Sequence, residues 1–171
     1  PALLDCLFEA NSATRAGGMY NSYSSPSLTE CTFTSNSAFL YGGGMYNNFN
    51  SSPALADCAF TSNSAYTGGG MLNDNSSPTL TDCTFMDNSA DEDGGGMYNV
   101  FSSPALTDCT FTNNSAYDGG GMFNLNQSYP TLATCTFTNN AAQYGGGMYN
   151  LDRSSPSLSN CTFTNNSAEF G

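Results

Sequence analysis

The sequence predicts an all-β fold: a right-handed parallel β-helix (solenoid) of six to seven coils, about 26 residues and three short strands to a coil. Three observations carry this reading. Cysteines fall at positions 6, 31, 58, 83, 109, 135 and 161, in steps of 25 to 27 residues, a period at which repeat units stack into solenoids. Around each Cys a block of constant length reads P-x-L-x-x-C-x-F-x-x-N-x-A, from Pro1–Ala13 through to Pro156–Ala168. A second block, "GGGMYN" or a close variant, follows in six of the seven repeats and places Met at 19, 45, 71, 97, 122 and 148.

All variation in length falls between these blocks. Insertions confined to two places mark turns, because a stacked strand cannot absorb a residue without losing register. The repeats lack apolar residues at helical spacing. A Pro in every repeat and the Gly triplets also forbid long helices, while Thr, Phe and Tyr favour strands.

Taken in order, the first strand lies around "PAL". The two residues between Leu and Cys make a corner, "CTFT" forms the second strand, and "GMY" forms the third. Equivalent residues of successive coils then stack about 4.8 Å apart, which gives a rod roughly 30 Å long. Leu, Cys, Phe and Met are expected to point inward as columns, with the Thr residues pointing out. Right-handed winding follows from the rule for parallel crossovers.

Asn stands five residues after every Cys, at 11, 36, 63, 88, 114, 140 and 166. A primary amide both donates and accepts, so stacked copies can bond rung to rung. The alternative is that Asn merely suits a turn with positive φ. Full occupancy favours the ladder. The glycines before Met are expected where the chain turns tightly and the backbones of adjacent coils approach closely.

The F-x-x-N motif, present in all seven repeats and clearest as "FTNN" at Phe111, Phe137 and Phe163, alternates with "GGGMYN". This alternation resembles the chlamydial polymorphic outer-membrane proteins, whose repeats pair F-x-x-N with a GGA-I type motif. The resemblance spans the chain. It implies a right-handed parallel β-helix with a role in surface display and adhesion.

Charge and residue types bound the chemistry. The chain carries 14 Asp and Glu against two Arg, Arg15 and Arg153, with no His, for a net charge of −12. Such a surface does not neutralise phosphates, so neither nucleic acid nor an anionic membrane is an expected partner. No apolar run approaches the length of a spanning helix. With no His or Lys, the usual general bases and nucleophile activators are missing. The two Arg, expected in variable turns nearly six coils apart, cannot meet. No catalytic or cofactor-binding residue is therefore assigned, and the chain is not expected to be an enzyme.

The seven Cys are expected to remain mostly free thiols. Parallel in-register Cβ vectors suit the disulfide dihedral badly, and no C-x-x-C or His offers a zinc site. Before each Cys runs a column of Asp5, Glu30, Asp57, Asp82, Asp108, Thr134 and Asn160, and a second acidic group joins Asp91, Glu92 and Asp93 to Asp118 of the next coil. Either could be relieved by Ca²⁺; the simpler expectation is solvated turn residues. Tyr20, Tyr46, Tyr98 and Tyr149, with Leu72 and Phe123 at equivalent positions, are expected to form an exposed aromatic stripe. Thr-x-Thr pairs at Thr32/Thr34, Thr110/Thr112, Thr136/Thr138 and Thr162/Thr164 resemble ice-binding arrays.

The expected organisation is a single β-helix domain over residues 1–171 without evident caps, either a segment of a longer solenoid or a fibre subunit. The leading functional expectation is an extracellular or cell-surface rod, stalk or fibre. Its partner would be itself, stacked head to tail along the axis. The alternatives are a monomeric adhesin or passenger segment binding a glycan or host partner and, more remotely, an ice-binding protein.

Overall fold

The computed structural model describes residues 1–171. The chain winds through parallel sheets in which every strand pairs with its equivalents one coil before and after. The Leu sheet has seven strands, from Ala2–Leu4 to Ser157–Ser159, and the Phe sheet has seven, from Leu7–Glu9 to Thr162–Thr164. The Met sheet has six, from Met19–Ser22 to Met148–Asn150. Register is like on like: Leu28 opposes Leu55, Phe60 opposes Phe85 and Met71 opposes Met97.

A fourth strand joins the three expected ones. It follows the ladder Asn and runs Ser12–Arg15, Ser37–Tyr41, Ser64–Ala65 and Ser89–Ala90, then resumes as Ala141–Tyr144 against Ser167–Phe170. Single bridges from Ser115 to Ser89 and to Ala141 span the gap. This Ser-Ala sheet has little intrinsic strand preference. It forms because the coils on either side already hold its backbone at pairing distance. Arg15 therefore ends a strand and does not lie in a turn, whereas Arg153 sits in a turn at φ 64°.

The corners are made by residues in the left-handed region. The residue before each Cys, from Asp5 to Asn160, has φ between 49° and 57°, and Asp and Asn tolerate this better than most. A second left-handed column stands immediately before the ladder Asn: Ala10, Ser35, Ser62, Asp87, Asn113, Asn139 and Asn165. The ladder Asn is thus not the positive-φ residue, and turn propensity does not explain its presence.

Inside the coil lies one continuous cluster of 19 buried residues, made of the Leu, Cys, Phe and Met columns as expected. Phe rings from Phe8 to Phe163 stack with centroids 4.5 to 4.8 Å apart and planes within 3°. Cys sits in the corner itself, just before the Phe strand, and its thiol donates to the carbonyl two residues back, as Cys83 does to Thr81 at 3.3 Å. All seven cysteines are free. The close approach at glycine is also present: a Cβ on Gly44 would lie 2.6 Å from the Gly70 carbonyl oxygen and 2.8 Å from the Phe60 ring.

The expected aromatic stripe is corrected. Met points inward, but the next column is not exposed: Tyr46, Leu72, Tyr98 and Phe123 are all buried. They form a second apolar cluster outside the coil, roofed by Tyr41, Val100 and Leu125 at the ends of strands. Tyr20, in the first coil, stays exposed.

Candidate functional site

Polar ladders running along the axis are the most highly organised side-chain feature. In the predicted ladder, each Asn donates from Nδ2 and from its backbone N–H to Oδ1 of the Asn above, and its second Nδ2 hydrogen reaches the Phe carbonyl of the coil below. Asn63 does this toward Asn88 at 3.0 Å for both bonds and toward Phe33 at 2.9 Å. The amides of the five inner rungs, Asn36 through Asn140, are buried.

A second Asn ladder, unread in the sequence, runs through Asn21, Asn47, Asn73, Asn99, Asn124 and Asn150, each Nδ2 to the next Oδ1 at 2.9 Å. Its signal was the invariant Asn two residues after Met. Serines before the prolines add two further rows of opposite sense. Ser51 N–H donates up to Ser76 Oγ at 3.0 Å, while Ser77 N–H donates down to Ser52 Oγ at 2.9 Å.

These columns run to the terminal rungs without offset. Leu158 and Phe163 in the last coil are 46% and 44% exposed, whereas Leu106 and Phe111 are almost fully buried. The bonding pattern leaves Asn166 with a backbone N–H and an Nδ2 hydrogen directed beyond the last rung, and leaves Asn11 Oδ1 directed below the first.

On the outer faces, the Thr-x-Thr residues at Thr32/Thr34, Thr110/Thr112 and Thr136/Thr138 flank a buried Phe and are partly exposed, while Thr162 and Thr164 in the last coil are exposed together with Phe163. The acidic corner column is exposed throughout. No group of three or more His, Cys, Asp or Glu side chains converges on one point.

The second acidic group is brought together only in part. Asp93 and Asp118 are bridge partners in adjacent coils. Glu92 instead accepts a hydrogen bond from the Tyr66 hydroxyl at 3.0 Å, and Asp91 is exposed. Burial, then Asp118, then Glu92 raise the Asp93 carboxyl from its ordinary 3.8 to about 6, and burial followed by Glu92 raises Asp118. Burial, with Asp93 and Asp74 next, also pushes Tyr98 upward.

Arg15 lies over the Tyr41 ring, 5.7 Å from its centroid, and Arg153 stands in a distant turn, so the two do not meet. Beside the Ser-Ala sheet, a hollow of about 350 Å³ is walled by Ala38, Phe39, Ala65, Tyr66 and Asp91, with Phe39 77% exposed.

A family model described as right handed beta helix region matches residues 2–121 and 91–171. No curated protein and no solved structure matches the chain.

Proposed function

The chain belongs to the right-handed β-helix family, and from that premise we propose that it is a structural rod at the cell surface or outside the cell. The rod lengthens by axial stacking of further coils on its end rungs. This reading assigns it no bond-making step. The observation that carries it is the complementarity of the two end rungs: amide donors at Asn166 face the axis at one end and an amide acceptor at Asn11 at the other. A coil of the same repeat, from either the same polypeptide or a second copy, would continue both ladders and bury Leu158 and Phe163. Backbone groups of each terminal strand would pair at the same time.

Sedimentation of this chain across a concentration series tests the reading. It predicts linear oligomers that grow with concentration and are abolished by Phe163→Asp, which places a charge on one end of the Phe column. A parent chain that stays monomeric at millimolar concentration contradicts stacking between copies.

A second reading, an adhesin that binds a glycan or host surface, is supported by exposed aromatics in other places than the sequence indicated. Tyr23 stacks on Phe49 in the turns at 5.1 Å, and Phe39 walls the hollow beside Tyr66.

A further inference from the structure

In three consecutive coils the residue that follows the Ala of the Ser-Ala sheet is Phe39, then Tyr66, then Asp91. These three bound the hollow of about 350 Å³, whose floor is made by the small side chains of Ala38, Ser64 and Ala65. Phe39 is 77% exposed, Tyr66 is 45% exposed, and Asp91 is exposed as well. Strand pairing sets Asp91 one rung above Tyr66. Ala65 opposes Ala90, Asp91 N–H donates to the Ala65 carbonyl at 3.1 Å, and Glu92 N–H donates to the Tyr66 carbonyl at 2.9 Å. Carboxylate and ring therefore stand on adjacent rungs, about 4.8 Å apart along the axis.

The Tyr66 hydroxyl donates to Glu92 Oε1 at 3.0 Å, which ties the ring beside the acidic run of Asp91, Glu92 and Asp93. An aromatic face attracts a cation placed within about 6 Å of its centroid, an arginine more often than a lysine. The molecule already holds one such contact. Arg15 lies over the ring of Tyr41 at 5.7 Å, and Tyr41 ends the strand that carries Phe39.

No basic side chain of the chain itself reaches the hollow. Arg15 is held over Tyr41, and Arg153 stands in a distant turn. A net charge of −12 draws cationic partners toward this surface and repels anionic ones.

We propose that this hollow receives an exposed arginine side chain of a basic protein partner. A guanidinium is flat and forked, so it can stack on Tyr66 while it donates a pair of N–H bonds to the Asp91 carboxylate. Its methylene stem then covers Ala38 and Ala65 and packs against Phe39. A lysine ammonium offers neither the flat face nor the fork. The inference rests on the second, adhesive reading and names the chemistry of its partner. It is independent of axial stacking, because the hollow faces sideways from the rod.

Amide NMR of the whole chain, titrated at constant ionic strength with N-acetyl-arginine methylamide to about 50 mM, tests it. The amides of Tyr66 and Asp91 should shift and saturate. The citrulline analogue has the same shape without the charge and should bind about tenfold more weakly. Asp91→Asn should weaken arginine binding about tenfold and Phe39→Ala about fivefold. Asp57→Asn, which removes the same charge from an exposed corner, should bind like the parent. Both hollow variants change exposed side chains, and the same spectra report whether each is folded. No saturable shift, an equal response to citrulline, or an Asp91→Asn variant that binds as well as Asp57→Asn overturns the proposal. A methyl pyranoside that shifts Tyr66 and Asp91 where arginine does not also overturns it, while leaving the adhesive reading with a glycan; silence toward both probes takes the hollow away from that reading too.

Discussion

Asn88 donates to Oδ1 of Asn114 twice, from Nδ2 and from its own backbone N–H, both at 3.0 Å. Its third donation, from Nδ2 to the Phe60 carbonyl at 2.9 Å, ties the amide to the coil below. Each rung thus satisfies buried groups in three coils. Asn88→Ala leaves both Asn63 donors unpaired inside the protein and removes one donor from the Phe60 carbonyl, at an expected cost of about 3 kcal/mol. Asn166→Ala, at the open end, should cost well under half as much. Chemical denaturation of the two variants checks the contrast, and equal losses would remove the ladder from the account.

Gly44 has an ordinary backbone conformation, so its role is one of space. A methyl group there meets the Gly70 carbonyl oxygen at 2.6 Å and the Phe60 ring at 2.8 Å, and the ring is already held in the Phe stack. Gly44→Ala should destabilise by about 2–3 kcal/mol as the coils are forced apart, read as a fall in Tm of several degrees.

The thiols should report their depth. Cys31, Cys58, Cys83, Cys109 and Cys135 are buried, while Cys6 and Cys161 are half-buried. Inside the core the Cys58 thiol is tied to the Ala56 carbonyl at 3.3 Å. A colorimetric thiol reagent should therefore modify two cysteines in the native protein and all seven only after denaturation. Fast native modification of more than two would contradict the packing.

Asp93 gives a pH signature. Its folded-state carboxyl titrates near 6, above the ordinary 3.8, because of burial and then Asp118 and Glu92. A raised acid binds its proton more tightly in the folded state. Its contribution is therefore fully present below pH 3.8 and is lost as the pH rises through about 6. The Tm of the parent relative to Asp93→Asn should fall between pH 4 and pH 7. A difference that stays flat over this range would show that neither burial nor the neighbouring carboxylates raise Asp93.

Much of this architecture was legible because the sequence repeats it. Leu, Cys, Phe and Met recur at fixed offsets, so their inward columns and the corner before Cys could be read directly. The Ser-Ala strand was not readable, since two small residues carry no β preference and the pairing is imposed by neighbouring coils. The burial of Tyr46 and Tyr98 was missed for a related reason. Their roof comes from Tyr41, Val100 and Leu125, and all three lie outside the constant blocks, where the repeat is loosest. The Asp93–Asp118 pairing was legible because both stand directly before a glycine triplet in consecutive repeats. The second Asn ladder was present in every "GMYN" or its variant and was overlooked beside the more conspicuous Met.

X-ray diffraction from an aligned specimen of the purified chain tests the stacked column most directly. The account predicts a sharp meridional reflection near 4.8 Å, the separation of successive rungs along the rod axis. A pattern with that spacing on the equator, or with none at all, would contradict it.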